Sequence, residues 1–510
     1  MSLAEEPSPS ALSDAFAQLT EAVLSKRPIL RELVQKHGRK TLVEYASLYT
    51  DVNLNPPIQS RQDELISTFT EEVAKRFGQT TAQAAARQLI QHYFVSTTDH
   101  MGMIVNQSFT NANLLTTASY VNHNDPDLQY VIVLPCANIT FSNITFPRGL
   151  IFNSVVDGQV KLQRLSFIPS NAHNSIVYNF RPYTKQDVEK VHGVVCDKKS
   201  AQEISTETAD KLHSLLDEVY AQPAVLEQPS YSEQVIQTND QLWQKFAPSR
   251  LIYLEQETLT TALLIKYHLH VDTIISNIIL KEEYTHLLEH YFSGIMGAFD
   301  EAKKYGTFFF WGITPDKHYR IQLWRVGNEL RSDDGSIVVP LTPDGLEAAL
   351  QAKTIIPSLL LVFTTLCFYY GLKCLGGFNQ INYLTAMKNA YIKMNVDRGN
   401  YRSIEVCARA QTKEMNDGYL MAFGLSPNGG HIPATGLDLY LYGTDQTWPT
   451  IQNVARNLTV EQSLQPALVE FYRFVYSEPE RLGALTALTA EQVVAHAGID
   501  EVLQPCLRYI

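Results

Sequence analysis

The chain has 510 residues, 45% of them hydrophobic and 18% charged, and a formal net charge of -12. That length exceeds what one core usually holds, roughly 250 to 300 residues, and the composition leaves no case for disorder. The negative balance excludes a nucleic-acid surface as the main business, because phosphate binding needs clustered Lys and Arg.

The opening segment "MSLAEEPSPSALSD" is acidic and rich in Ser and Pro, without the basic start and apolar stretch of a signal peptide. Residues 1–95 read as helical. "SDAFAQLTEAVLSKR" offers Ser13 and Asp14 as cap candidates, "SRQDELISTFTEEVAKRFG" stops at Gly78, and "TTAQAAARQLIQHYF" is the last helix of the segment. The character changes from 96 to about 183. "QYVIVLPC" is a continuous apolar, β-branched run, the mark of a strand buried on both faces, and "VDGQ" is a hairpin turn.

Helix returns over 185–222 and in "SYSEQVIQTNDQLWQKFAPSR". Residues 251–304 read as one or two long helices, followed by strands in "GTFFFWGITPD" and "YRIQLWRVGNELRSDDGSIVVP" and a helix capped by Thr342. "IIPSLLLVFTTLCFYYGL", 355–372, carries no charge over about the length of a membrane span. It holds Pro357, Ser358, two threonines and two tyrosines, and no second span exists, so a buried core helix is expected and no membrane partner. The six cysteines form no C-x-x-C pair, which suits the reduced thiols of a cytoplasmic protein.

The expected organisation is a helical segment 1–95, an α/β part 96–250 with polar substrate loops, a helical segment 251–304, a second α/β part 305–447 with a Gly-Gly turn, and a helical end 448–510. Blocks of helix and strand alternate, so the class is α/β.

Three constellations carry chemistry. In "EEYTHLLEH", Glu283, His286 and His290 share a helical face, and His286, Glu289 and His290 fit the H-x-x-E-H pattern in which two imidazoles bind zinc. The alternative is a solvated or partner-facing helix surface. The second is "STTDHMGMIVNQSFTNANLL", 96–115, with its continuations "HNDPD" and "PCANITFSN". Asp99 is placed to orient His100 for acid–base work, and Thr98, Asn111, Asn113 and Asn138 supply neutral hydrogen bonds for a polar substrate. Arg148 and Arg181 are the nearest cations for a carboxylate or phosphate. Asn and Asp are also the commonest turn formers, so turn chemistry is the alternative.

The third is "LKCLGGFNQINYLTAMKNAY", where Gly376 and Gly377 precede a helix whose first turn holds Asn379 and Gln380, with Tyr383 and Lys388 further along. Paired glycines at a helix N-terminus expose amides to an anion, or simply break two helices.

The run "IIPSLLLVFTTLCFYYGLKCLGGFNQINYLTAMKNAY" resembles the bacillithiol-biosynthesis cysteine-adding enzymes. Pro357, Ser358, Leu360, Gly376, Gly377, Ile381, Tyr383, Lys388 and Tyr391 fit that family's P-S-x-L-L, G-G-P-x-E-I-x-Y and following Lys and Tyr. Its T-G-Q-Q-x-G element stands here as Thr97-Thr98-Asp99-His100-Met101-Gly102. The family's glutamines are replaced by Asp99 and His100, its E-D-H-D element is missing, and Gln380 stands for its acidic residue. The resemblance implies a Rossmann-like core, mostly parallel in its sheet, with substantial helical additions. It also implies a ligase-like activity joining an amino acid such as cysteine to an amine-bearing small polar substrate, with ATP or ADP bound.

The expected cleft is therefore built from 96–148 and 373–388. His100 and Asp99 are its catalytic pair, and Thr98, Asn111, Asn113, Asn138 and Arg148 hold the substrate. Gly376, Gly377, Asn379, Gln380 and Lys388 hold an anionic cofactor group, and no metal is expected in this reading. A metal-dependent hydrolase using His286 and His290, and a non-catalytic binding or scaffold protein, are the alternatives. A homodimer stays open.

Overall fold

A computed structural model describes residues 9–52, 58–123, 125–499 and 502–509, with side chains from residue 12 and excluding those of 122 and 123. The first eight residues of the acidic start and Asn124 of "HNDPD" lie outside the described residues.

The fold is mixed α/β, with one four-stranded parallel sheet, several small antiparallel sheets and many helices. The parallel strands are β1 (Phe94–Ser96), β2 (Tyr130–Val133), β3 (Arg250–Tyr253) and β4 (Lys373–Leu375), in the spatial order β4-β1-β2-β3. Register runs Phe94 with Lys373 and Ser96 with Leu375 on one side, and Tyr130 with Arg250 and Val133 with Tyr253 on the other.

Alternate residues of these strands feed two separate cores. Val131, Val133, Leu251 and Tyr253 join one. Tyr130, Ile132, Ile252 and Cys374 join the other. A sheet covered on both faces needs apolar residues at every position, which is why "YVIV" is continuous rather than alternating.

The connection from β1 to β2 runs through helix α1 (Gln107–His123). β3 leads into helix α2 (Gln256–Leu263), and β4 into helix α3 (Gln380–Asp397). The hairpin Gly149–Val156 with Gln159–Ser166 turns at Asp157 and Gly158, both at positive φ, as "VDGQ" predicts. Helix Gln59–Phe77 ends at Gly78 with φ 79°, and Thr342 caps helix Pro343–Gln351.

Other expectations are corrected. The first helix, Pro9–Lys26, already contains Ser13 and Asp14, so neither caps it. The stretch 251–304 is not one or two long helices. It opens on β3, and its helices break before Thr273, whose side chain caps the next one through Ser276 N–H. The apolar run 355–372 divides into a strand (Ile355–Pro357), a helix begun by the Ser358 cap, and a turn at Gly371 with φ 73°. Its side chains are buried except for the half-buried Leu359, and among the described residues no helix is long and apolar enough to cross a membrane.

Candidate functional site

A parallel sheet aims the carboxyl ends of all its strands at one edge, where the loops that follow can surround a ligand. A cavity of about 380 Å³ opens at that edge. Thr97, Thr98 and His100 enter it from β1, Cys136 from β2, Gln256 from β3, and Gly377, Phe378, Asn379 and Gln380 from β4. Helix α1 adds Ser108 and Phe109 from its first turn, and α3 adds Tyr383. The lining also holds two acids, Asp417 beside Gly377 and Glu470.

The β1 and β4 loops are tied together. Thr97 donates its N–H and its hydroxyl to Leu375 O, at 2.8 and 3.0 Å, and accepts from Gln380 Nε2 at 2.6 Å. Thr98 donates to Asn416 Oδ1 at 3.0 Å, and Asn416 reaches back to Ser96 Oγ at 2.9 Å. Gly376 is needed because a Cβ there would overlap the Gln380 side chain.

His100 has a defined tautomer. Its Nδ1 lies 3.1 Å from Asn143 Oδ1, and that oxygen already accepts from Thr145 N and Oγ1 at 3.1 and 2.9 Å. An oxygen can only accept, so Nδ1 carries the proton and Nε2 keeps its lone pair. Burial lowers the imidazole pKa, which favours this neutral form.

Asp99 does not orient His100. It is fully buried behind the loop, where its Oδ2 accepts from Asn113 Nδ2 at 3.2 Å and Tyr253 OH at 3.4 Å. Burial raises its pKa well above the carboxylate range, and the nearby Asp417 adds to the effect.

Several other expected site residues hold the fold instead of lining the cavity. Asn111 accepts from Met421 N and Ala422 N, both at 2.9 Å, and donates to Gln107 O. Asn113 faces Asp99 in the core. Lys388 binds Ala408 O and Ala410 O at 2.9 and 2.7 Å, at the end of helix Tyr401–Arg409. Arg148 stacks over the Phe146 ring, and Arg181 is exposed over Phe180. Asn138 lines a neighbouring cavity.

The Gly-Gly turn does not suit the phosphate of ATP or ADP. An added Cβ on Gly377 would sit 2.8 Å from Asp417 Oδ2, so the turn faces a carboxylate, and among the described residues no Lys or Arg lines the cavity. Asn379 is occupied from outside, accepting from Arg27 Nε and Nη2 at 2.9 and 2.7 Å.

Asp417 and Glu470 were missed by sequence reasoning. Burial pushes Asp417 up to about 7, helped by the charge of Glu470, and burial also raises Glu470. Glu470 had a readable signal: a lone acid between Val469 and Phe471 on the buried side of "LVEFYRFV". The "EMNDGYL" segment places Asp417 before Gly418, whose φ of 101° marks a turn.

The H-x-x-E-H helix spans Thr285–Phe292. Glu283 lies before it in a 3₁₀ turn and pairs with Arg398, so the expected three-residue face is not formed. Among the described residues no group of three or more His, Cys, Asp or Glu is placed to hold a metal ion.

Comparison with protein-family models and with curated proteins gives no match to this chain.

Proposed function

We propose that the chain is a ligase-like enzyme that joins an amino acid to an amine-bearing small polar substrate, built on a Rossmann-like core. The observation that carries the reading is the charge of the cleft: Asp417 and Glu470 line a cavity whose other polar groups are mainly amides and hydroxyls, and among the described residues no Lys or Arg joins them. An ammonium group is the ligand that offsets two half-buried carboxyls at least cost.

The chemistry follows from the same groups. An amine must shed a proton before it can attack the carbonyl carbon of an amino acid activated as its acyl phosphate, from which phosphate leaves as the C–N bond forms. A carboxyl pushed up to about 7 is matched to take that proton near neutral pH. His100 Nε2, with its lone pair free, is the second acceptor at the cavity wall. Thr98, Asn143 and Gln380 fix the loops around it. The core assignment rests on strand order. Read across the sheet, the strands run third, second, first, fourth in the chain, the order that begins a doubly wound dinucleotide-type fold, with the cleft where the direction of winding reverses.

Isothermal titration of the full chain with glucosamine and with N-acetylglucosamine tests the reading, since acetylation removes the charge and keeps the sugar. Glucosamine alone should bind, and Asp417→Asn should weaken it at least tenfold. Equal binding of both sugars, or none of either, removes the reading.

A further inference from the structure

Behind the wall formed by His100, Cys136 and Leu359 lies a second cavity of about 460 Å³, and those three residues line both spaces. Its charge is opposite. Among the described residues the first holds Asp417 and Glu470 and no Lys or Arg, whereas the second holds Arg320 and Lys304 and no Asp or Glu. Two adjoining chambers of opposite sign fit a reaction between two oppositely charged partners better than one elongated ligand of a single charge.

Arg320 is the fixed element. It stands on the short strand Arg320–Gln322, and its guanidinium lies over the Trp311 ring, 4.2 Å from the centroid. Trp311 is on the adjacent strand Phe310–Ile313. One nitrogen, Nη1, donates to Asn138 O at 2.8 Å and Asn138 Oδ1 at 3.1 Å. The group is thus held from below by the indole and from the side by the loop after β2. Among the described residues no carboxylate pairs with it, and no hydrogen bond engages its Nε or Nη2. Lys304, also exposed, differs in being paired with Asp333 at 3.1 Å and lying over Trp324, so it colours the rim without being free.

A guanidinium that is oriented, stacked and left without its counter-ion is a fork waiting for an oxyanion, because Nε and Nη2 present two parallel donors to a carboxylate or phosphate. Arg320 is exposed, so water reaches these two nitrogens and they are open to an oxyanion entering the chamber.

We propose that this second chamber is an oxyanion subsite, in which Arg320 takes the carboxylate or phosphate of the acyl-bearing partner, so that the two reactants meet at the His100–Cys136 wall. The pairing of partners rests on the amine reading of the first chamber, while the oxyanion subsite itself stands on Arg320 alone. Asn138, expected from sequence to hold substrate directly, becomes a positioning residue that aims the guanidinium.

The test is calorimetric titration of the full chain with succinate in one arm and inorganic phosphate in the other, at low ionic strength. At least one of them should bind, and the arm that binds names the oxyanion. Arg320→Met should abolish that binding, and Arg320→Lys, which keeps the charge but loses the fork, should weaken it at least tenfold. Asn138→Asp, nearly isosteric, places a carboxylate against Nη1 and should weaken the same ligand at least fivefold even if the Arg320 variants fail to fold. Asp417→Asn should leave succinate or phosphate binding within about twofold while lowering glucosamine binding. No binding in either arm, or binding indifferent to Arg320 and Asn138, overturns the subsite. Loss of glucosamine binding in wild type with the oxyanion result intact would instead overturn the amine reading.

Discussion

Between residues 97 and 113 two groups of polar side chains occupy one connection of the sheet, and they do different work. Thr97, Thr98 and His100 leave the carboxyl end of β1 and face the cavity or brace its rim. Asn111 and Asn113, within the second turn of α1, turn the other way into the core, one clamping the backbone of 421–422 and the other meeting Asp99. The residue types are those of a binding loop in both places. What separates them is position relative to the sheet edge and, within α1, helical phase: Ser108 and Phe109 line the cleft and Asn111 and Asn113 do not. A polar group buried among apolar ones must be bonded, so a core that contains irregular segments uses amides to hold them. An amide-rich stretch therefore marks either a ligand or a piece of unruly backbone.

The largest effect that sharpens this contrast is expected at Asn111. Asn111→Ala strands the N–H groups of Met421 and Ala422 in the core, and two unmet buried donors cost about 2–4 kcal/mol. Thermal melts should show the loss, while glucosamine affinity measured well below the melt stays within about twofold. A large loss of affinity without loss of stability would place Asn111 back in the site.

Next comes the buried acid that clamps the loop after β2. Glu257 accepts from Ala137 N at 3.0 Å and Asn138 N at 3.2 Å, and burial pushes it up to about 7. Its folded pKa is higher than its unfolded one, so its contribution to stability is full below the ordinary carboxylate range and is lost as pH rises to about 7. That loss amounts to roughly 3 kcal/mol. Asp417 and Asp438, pushed up to about 7 and about 6, share the sign. Melting temperature should fall steadily between pH 5 and pH 7, and Glu257→Gln should flatten the slope. A melting temperature that climbs over that range would contradict the burial of these groups.

Ligand binding should move the other way. Glucosamine binds as its ammonium and needs Asp417 ionised, so its affinity should rise from pH 5 to about pH 7 and fall again above that as the sugar's own ammonium loses its proton. Asp417→Asn should abolish the rising limb. A flat wild-type profile would take Asp417 out of the amine's reach.

The same contrast explains what the chain declares of itself. β2 could be read because four consecutive apolar residues fill two cores, and the hairpin because Asp157 and Gly158 adopt positive φ. β1 and β4 are three residues each, too short for any periodicity, and they exist because 94–96 pairs with 373–375 across the chain. β3, "RLIY", is as long as β2 but runs within three residues into α2, so it was absorbed into a helical expectation. At the site, Thr98 and His100, expected in a polar loop, and Gly377, Asn379 and Gln380, expected at a helix N-terminus, all line the cavity. Its charge was not. Asp417 and Glu470 come from remote segments, and Arg320 from a three-residue strand, so only tertiary packing assembles them.

Lys388 is where the smallest effect is expected, and it isolates support from binding. On sequence spacing it belonged to an anion site, yet its ammonium caps the last turn of helix Tyr401–Arg409 through Ala408 O and Ala410 O. Cations at a helix C-terminus satisfy carbonyls that have no partner within the helix and interact favourably with its dipole. Water can replace part of that contact, because the bond to Ala408 O is exposed. Lys388→Met keeps the aliphatic stem and removes the charge, so it should cost about 0.5–1 kcal/mol of stability. Succinate, phosphate and glucosamine titrations should be indistinguishable from wild type. A selective loss of oxyanion binding would return Lys388 to the site and would mean that α3 (Gln380–Asp397) shifts on ligand entry, because in this structure its side chain points away from both chambers to the helix it caps.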